Sequence, residues 1–158
     1  MKFFWKTALV ASIGLSSMAL GQSGDKVGAK LGMGPGGVTL GAEYSVQDTA
    51  YESFAGYLTI HQKDEDEGAP GLLAFGMALK LHQEFGPYEI YMAPGFGIIQ
   101  YDGADDELLI GPRLAIGAMA KIDRYLSVGF ENQKLYSFLG EFQGGIDDSF
   151  LFTTTYSM

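Results

Sequence analysis

From residue 26 to the end, the chain repeats one pattern: large apolar side chains at every second position, with small, polar or charged ones between them. In "LLIGPRLAIGAMAKI", Leu108, Ile110, Pro112, Leu114, Ile116, Ala118, Ala120 and Ile122 form one set, while Leu109, Gly111, Arg113, Ala115, Gly117, Met119 and Lys121, mostly small or charged, fall on the other. A period of two is the mark of a strand with two unlike faces. Pro112, Gly111 and Gly117 would each weaken a helix here. "GLLAFGMALKLH" sets Leu73, Phe75, Met77, Leu79 and Leu81 against Ala74, Gly76, Ala78, Lys80 and His82. In "YEIYMAPGFGII", Tyr88, Ile90, Met92, Phe96 and Ile98 oppose Glu89, Tyr91, Ala93, Gly95 and Gly97.

The pattern predicts eight strands, at Lys26–Met33, Gly37–Val46, Tyr51–His61, Leu72–Glu84, Tyr88–Tyr101, Leu108–Ile122, Tyr125–Phe138 and Ser149–Met158. The links after the second, fourth and sixth are tight: "QDTA", "FGP" and "DR". Those after the third, fifth and seventh are longer and acidic: "QKDEDEGAPG", "DGADDE" and "LGEFQGGIDD". An even number of antiparallel strands, with short turns at one end and long loops at the other, is the plan of a transmembrane up-and-down barrel. By that plan both chain ends face the periplasm.

The placement of the charges decides which face looks inward. A soluble barrel points its bulky apolar residues inward. Here lysine, arginine and glutamate share a face with glycine and alanine, the composition of a crowded, narrow interior. An arginine facing lipid at the bilayer midplane would cost about 2–4 kcal/mol. Several such costs would rival a typical net stability of about 5–15 kcal/mol. Arg113 and Lys80 are therefore expected inside. The same phase places Lys30, Glu43, Lys80, Glu89, Arg113 and Glu131 in the lumen, with Lys121 nearer the periplasmic rim. Burial makes an unpaired charge expensive, so the six are expected to pair and to fill the barrel.

The first 21 residues have lysines at 2 and 6, an apolar run from Thr7 to Leu20, and small residues at Ala19 and Gly21. This is the layout of a secretory signal peptide, and the run is short for a spanning helix. We expect a signal at 1–21 and one domain at 22–158, with cleavage after Ala19 as the alternative. Losing Lys2 and Lys6 takes the formal charge from −9 to −11, against nucleic-acid binding, which needs a basic footprint. There are no cysteines, which removes disulfides and thiolate metal sites.

The signal segment, eight alternating strands and unequal loops resemble the small eight-stranded outer-membrane barrels of the OmpA/OmpX and opacity-protein type. "GGVTLGAEY" and the final "SFLFTTTYSM" suit its hairpins and closing strand, although such barrels tend to end in an aromatic residue and this chain ends Tyr156-Ser157-Met158. The resemblance implies a bacterial outer-membrane location and contact with lipid and lipopolysaccharide. Aromatics near strand ends, such as Tyr51, Phe85, Tyr88, Tyr101, Tyr125 and Tyr136, suit membrane-interface girdles as well as plain strand propensity.

Acids crowd the presumed outer loops: Asp64, Glu65, Asp66 and Glu67; Asp102, Asp105, Asp106 and Glu107; Glu141, Asp147 and Asp148. They form a solvated surface, with a weak candidate site for Ca²⁺ or Mg²⁺ at Asp64–Glu67 and Asp105–Glu107 that could bridge to lipopolysaccharide phosphates. No EF-hand loop is present. "GAKLGMGPGG" is no phosphate loop, since G-K-[ST] is missing. Of two histidines, His61 could meet Ser137 or Ser149 at the outer rim as a nucleophile–base pair, but no G-x-S-x-G motif supports it. The expectation is a monomeric, non-enzymatic barrel without cofactor, in a structural or surface-interaction role. The rivals are a narrow porin-like conduit and a soluble periplasmic ligand-binding barrel.

Overall fold

The computed structural model describes residues 24–35, 37–62, 71–102, 106–138 and 144–158, with backbone alone at 101, 102, 106 and 107. Eight strands follow one another: β1 (Lys26–Gly34), β2 (Gly37–Gln47), β3 (Glu52–His61), β4 (Gly71–Phe85), β5 (Tyr88–Asp102), β6 (Asp106–Lys121), β7 (Leu126–Ser137) and β8 (Gly144–Ser157). Each pairs antiparallel with the next, and β8 returns to β1 through Lys26↔Ser157 to Met33↔Phe150, closing the barrel. Closure leaves no free strand edge. The start of β1 and the end of β8 meet at the end carrying the tight turns, where Gly24 N–H donates to Met158 O at 3.2 Å and Met158 N–H to Asp25 O at 2.8 Å.

Register fixes the tilt. One row of paired residues runs Phe85, Tyr88, Ala120, Val128, Thr154, Ala29, Ala42, Leu58 and Phe75. It leaves β4 at residue 85 and returns at 75, a stagger of ten residues around the barrel. With strands about 4.8 Å apart and about 3.3 Å per residue, that stagger tilts them by about 40°. Eight strands at this tilt enclose only side chains.

The tight turn between β6 and β7 shows how its sequence sets it. Asp123 Oδ1 accepts the N–H groups of Tyr125 at 2.7 Å and Leu126 at 2.8 Å, the local capping for which Asp is favoured in turns. These bonds hold the exposed Asp123 carboxyl below its ordinary range. A lowered folded pKa means the stabilisation is complete above the unfolded-state value and lost as pH falls through the folded one. We therefore expect Asp123→Ala to lower the urea midpoint near neutral pH, and its deficit against the wild type to shrink as pH falls below the ordinary carboxylate range and through the lowered folded value. A deficit independent of pH would contradict this account.

Two boundaries differ from the sequence reading by more than one residue. β8 begins at Gly144 rather than Ser149, and β6 at Asp106 rather than Leu108. Gly and Asp are poor strand formers, so "GGIDD" reads as loop. In a closed barrel, however, the strands continue past the shorter β1–β2 hairpin. Asp147 and Asp148 are consequently strand residues, and a register irregularity falls between Leu135 and Tyr136 opposite them.

Candidate functional site: the charged lumen

The two strand faces separate as the phase requires. Phe75, Met77, Phe96, Leu31, Leu40 and Ile116 are among the exposed outward residues, whereas Lys30, Glu43, Lys80, Glu89, Arg113 and Glu131 are all buried. Around the ions, small residues line the same inner face: Ala55, Ala74, Ala78, Ala93 and Ala115 are also buried.

Glu131, on β7, is the hub. Lys30 Nζ donates to its two carboxylate oxygens at 2.8 and 2.7 Å. Arg113 Nη2 donates to Oε1 at 3.0 Å, and the Tyr91 hydroxyl to Oε2 at 2.6 Å. Lys30 also bridges to Glu43 at 2.7 Å, and Lys80 reaches the other oxygen of Glu43 at 3.2 Å. Five of the six expected lumen residues thus form one connected set around two carboxylates. The sixth, Glu89, sits apart near the tight-turn end and pairs with Lys26 at 3.2 Å. Lys121 pairs with Glu84 at 2.7 Å near the rim.

Two tyrosines complete the set. The Lys80 ammonium stands 3.9 Å from the Tyr91 ring centre, and the Arg113 guanidinium 4.3 Å from that of Tyr57, both within cation–π range. The Tyr91 ring fits because residue 117 is glycine: a Cβ there would come within 2.6 Å of Tyr91 Cε1. Removing the hydroxyl takes one donor from a buried carboxylate, so Tyr91→Phe is expected to cost about 1–3 kcal/mol, read as a lowered denaturant midpoint of the refolded barrel. An unchanged midpoint would exclude this role for the hydroxyl.

Toward the loop end, Gln133 links a second polar group to the first. Its Oε1 accepts from Arg113 Nε at 2.9 Å and Thr59 at 3.2 Å, and its Nε2 donates to Asp147 Oδ2 at 3.2 Å. His61 Nδ1 lies 3.0 Å from Thr39 Oγ1, and His61 Nε2 lies 3.3 Å from Asp147 Oδ2. Ser149 directs its hydroxyl to Asp147 Oδ1 at 2.5 Å. Its proton therefore goes to a carboxylate, not to the imidazole, and Thr39, His61, Asp147 and Ser149 are all buried. Asp147 is an inner-face residue of β8, not a loop acid.

Sequence reasoning missed Lys26, Tyr57, Tyr91, Gln133 and Asp147. The alternation itself would have found the first four, because each shares the inward phase of its strand. Among the weak cation candidates, Asp64, Glu65, Asp66, Glu67 and Asp105 lie outside the described residues, and Asp106 and Glu107 are described by backbone alone. The segment expected to be a signal, residues 1–21, also lies outside them. No group of three or more His, Asp or Glu placed to hold a metal occurs among the described residues.

A closed barrel of this form is found among known solved structures. The N-terminal β-barrel domain of Pseudomonas aeruginosa OprF superposes with a TM-score of 0.70 at 9% identity, covering 87% of this chain and 99% of that one. The fold is that of the small outer-membrane barrels. Neisserial surface protein A matches at a TM-score of 0.64 and 10% identity, over 85% of this chain and 94% of that one. The outer-membrane enzyme PagL matches at 0.54 and 18%, over 82% and 97%. No protein-family model matches the sequence, nor does any curated protein sequence.

Proposed function

We propose that this chain is a bacterial outer-membrane protein whose barrel is sealed by its own charge network, leaving its loops to carry a structural or surface-interaction role. The observation that carries this is the inverted phase: Phe75, Met77 and Phe96 are exposed while Arg113 and Glu131 are 2% and 1% exposed. Water would not favour that exterior, whereas hydrocarbon does. The same phase opposes a soluble ligand-binding barrel. The connected ion set and the two tyrosine rings crossing the lumen support a plug rather than a pore. Burial of His61 and Ser149, with the serine proton on Asp147, supports a non-enzymatic reading.

The loop acids Asp64–Glu67 and Asp105–Glu107 are proposed to draw divalent cations to the outer surface, where lipopolysaccharide phosphates would share them. Cell fractionation with heat-modifiability tests the main reading. The protein should require detergent for extraction, migrate differently before and after boiling, and give no single-channel current in a planar bilayer. Extraction in buffer alone would overturn the membrane assignment, and steady conductance would overturn the plug.

A further inference from the structure

One titratable group of the lumen takes no part in the charge network. His82 lies on the inner face of β4, three residues from the end of that strand, and is 6% exposed. Both of its ring nitrogens are closed to solvent, and neither has a hydrogen-bond partner among the described residues. The backbone at this point is held: His82 N–H donates to Tyr51 O at 2.9 Å, and the residue pairs with Tyr91 across the β4–β5 ladder. The imidazole is thus enclosed beside the tight-turn mouth of the barrel with no polar contact of its own.

The charges around the ring are already engaged with one another. Lys26, Lys80, Glu84 and Glu89 are the ions that act on it. Glu89 accepts from Lys26, Glu84 pairs with Lys121, and Lys80 donates to Glu43. Tyr91 gives its hydroxyl proton to Glu131. The remaining strands bring uncharged inner-face residues to this end: Ser45 on β2, Ser53 on β3, Ser127 on β7 and Thr155 on β8. A neutral imidazole in this setting leaves one donor and one acceptor unmet. An imidazolium leaves two donors unmet and adds an uncompensated charge.

We propose that His82 is an acid-sensitive switch for the tight-turn mouth, which stays closed while the ring is neutral and opens on protonation so that the ring reaches water. The opening is local. Lys80 and Tyr91, neighbours of His82 along β4 and across the ladder, are held by the Glu43 and Glu131 carboxylates, and the hub contains no histidine. The closed state binds one proton fewer than the open one. Closure therefore loses stability as pH falls below the ordinary histidine value of about 6.5.

Amide hydrogen exchange of the full chain refolded in detergent micelles tests this. Measuring His82→Gln at the same pH removes the intrinsic pH dependence of exchange. From about pH 7.5 to about pH 5.5, the wild-type rate relative to the variant should rise about tenfold at residues 81–84 and 88–90. That factor follows because one pH unit below 6.5 favours the open state about tenfold. Residues 95–99, farther toward the loops, should show no such rise. His82→Leu takes the place of His82→Gln if the latter does not fold, and should give the same result. A ratio that stays constant between the two pH values would overturn the proposal. So would the same rise measured against His61→Gln, which removes the only other histidine of the chain. A rise spread evenly over all eight strands would mean that the whole barrel unfolds in acid, and would overturn the mouth as a separate unit.

Discussion

Replacing Glu131 with glutamine should remove a large share of the barrel's stability in one step. The substitution keeps size and shape but withdraws the negative charge that Lys30 and Arg113 share, both of them buried. Removing one partner of a buried ion pair typically costs about 3–5 kcal/mol, because the remaining charge has no water to turn to. Against a net stability of about 5–15 kcal/mol, that is a large fraction. The expected result is a strong drop in the urea midpoint for refolding into detergent, or no heat-modifiable species at all. Glu89→Gln provides the contrast. Its partner Lys26 keeps a side chain 22% exposed, so that loss should be far smaller. Equal effects at 131 and 89 would mean that the hub is not a hub.

Gly111→Ala should be comparably severe for a different reason. Residue 111 approaches β7 so closely that a methyl group would overlap the Tyr136 carbonyl oxygen and stand 2.7 Å from its carbonyl carbon. A flexible side chain could move aside, but a strand backbone in a closed ladder cannot without breaking its pairing. Ordinary overpacking costs about 1–3 kcal/mol, and a backbone obstacle should exceed that. Gly56→Ala is the control, since a Cβ there meets nothing within 4 Å. Refolding yield on gels should fall to near zero for Gly111→Ala and stay at wild type for Gly56→Ala. Similar yields would show that close approach at residue 111 does not limit closure.

The legibility of the fold from sequence rested on one number, the period of two. Because that period assigns every side chain to a face, it placed Arg113, Lys80 and Glu131 inside before any coordinates. What alternation cannot provide is depth and register. Glu89 and Glu131 share the inward phase, yet Glu89 lies near the tight-turn end with Lys26. Only the ten-residue stagger decides which inward residues meet at one level. The start of β8 was hidden because glycine and aspartate discourage strands in general, while here Asp147 is held by Gln133 and Ser149 within a closed wall.

The direction of the apolar face can be measured with one fluorophore. In a Trp5→Phe background, the only natural tryptophan is gone, and Phe75→Trp reports from the exposed face of β4 alone. In vesicles containing lipids brominated on their acyl chains, the emission should be strongly quenched, while aqueous iodide should have little effect. Strong iodide quenching with no response to the brominated chains would place residue 75 in water and contradict the account.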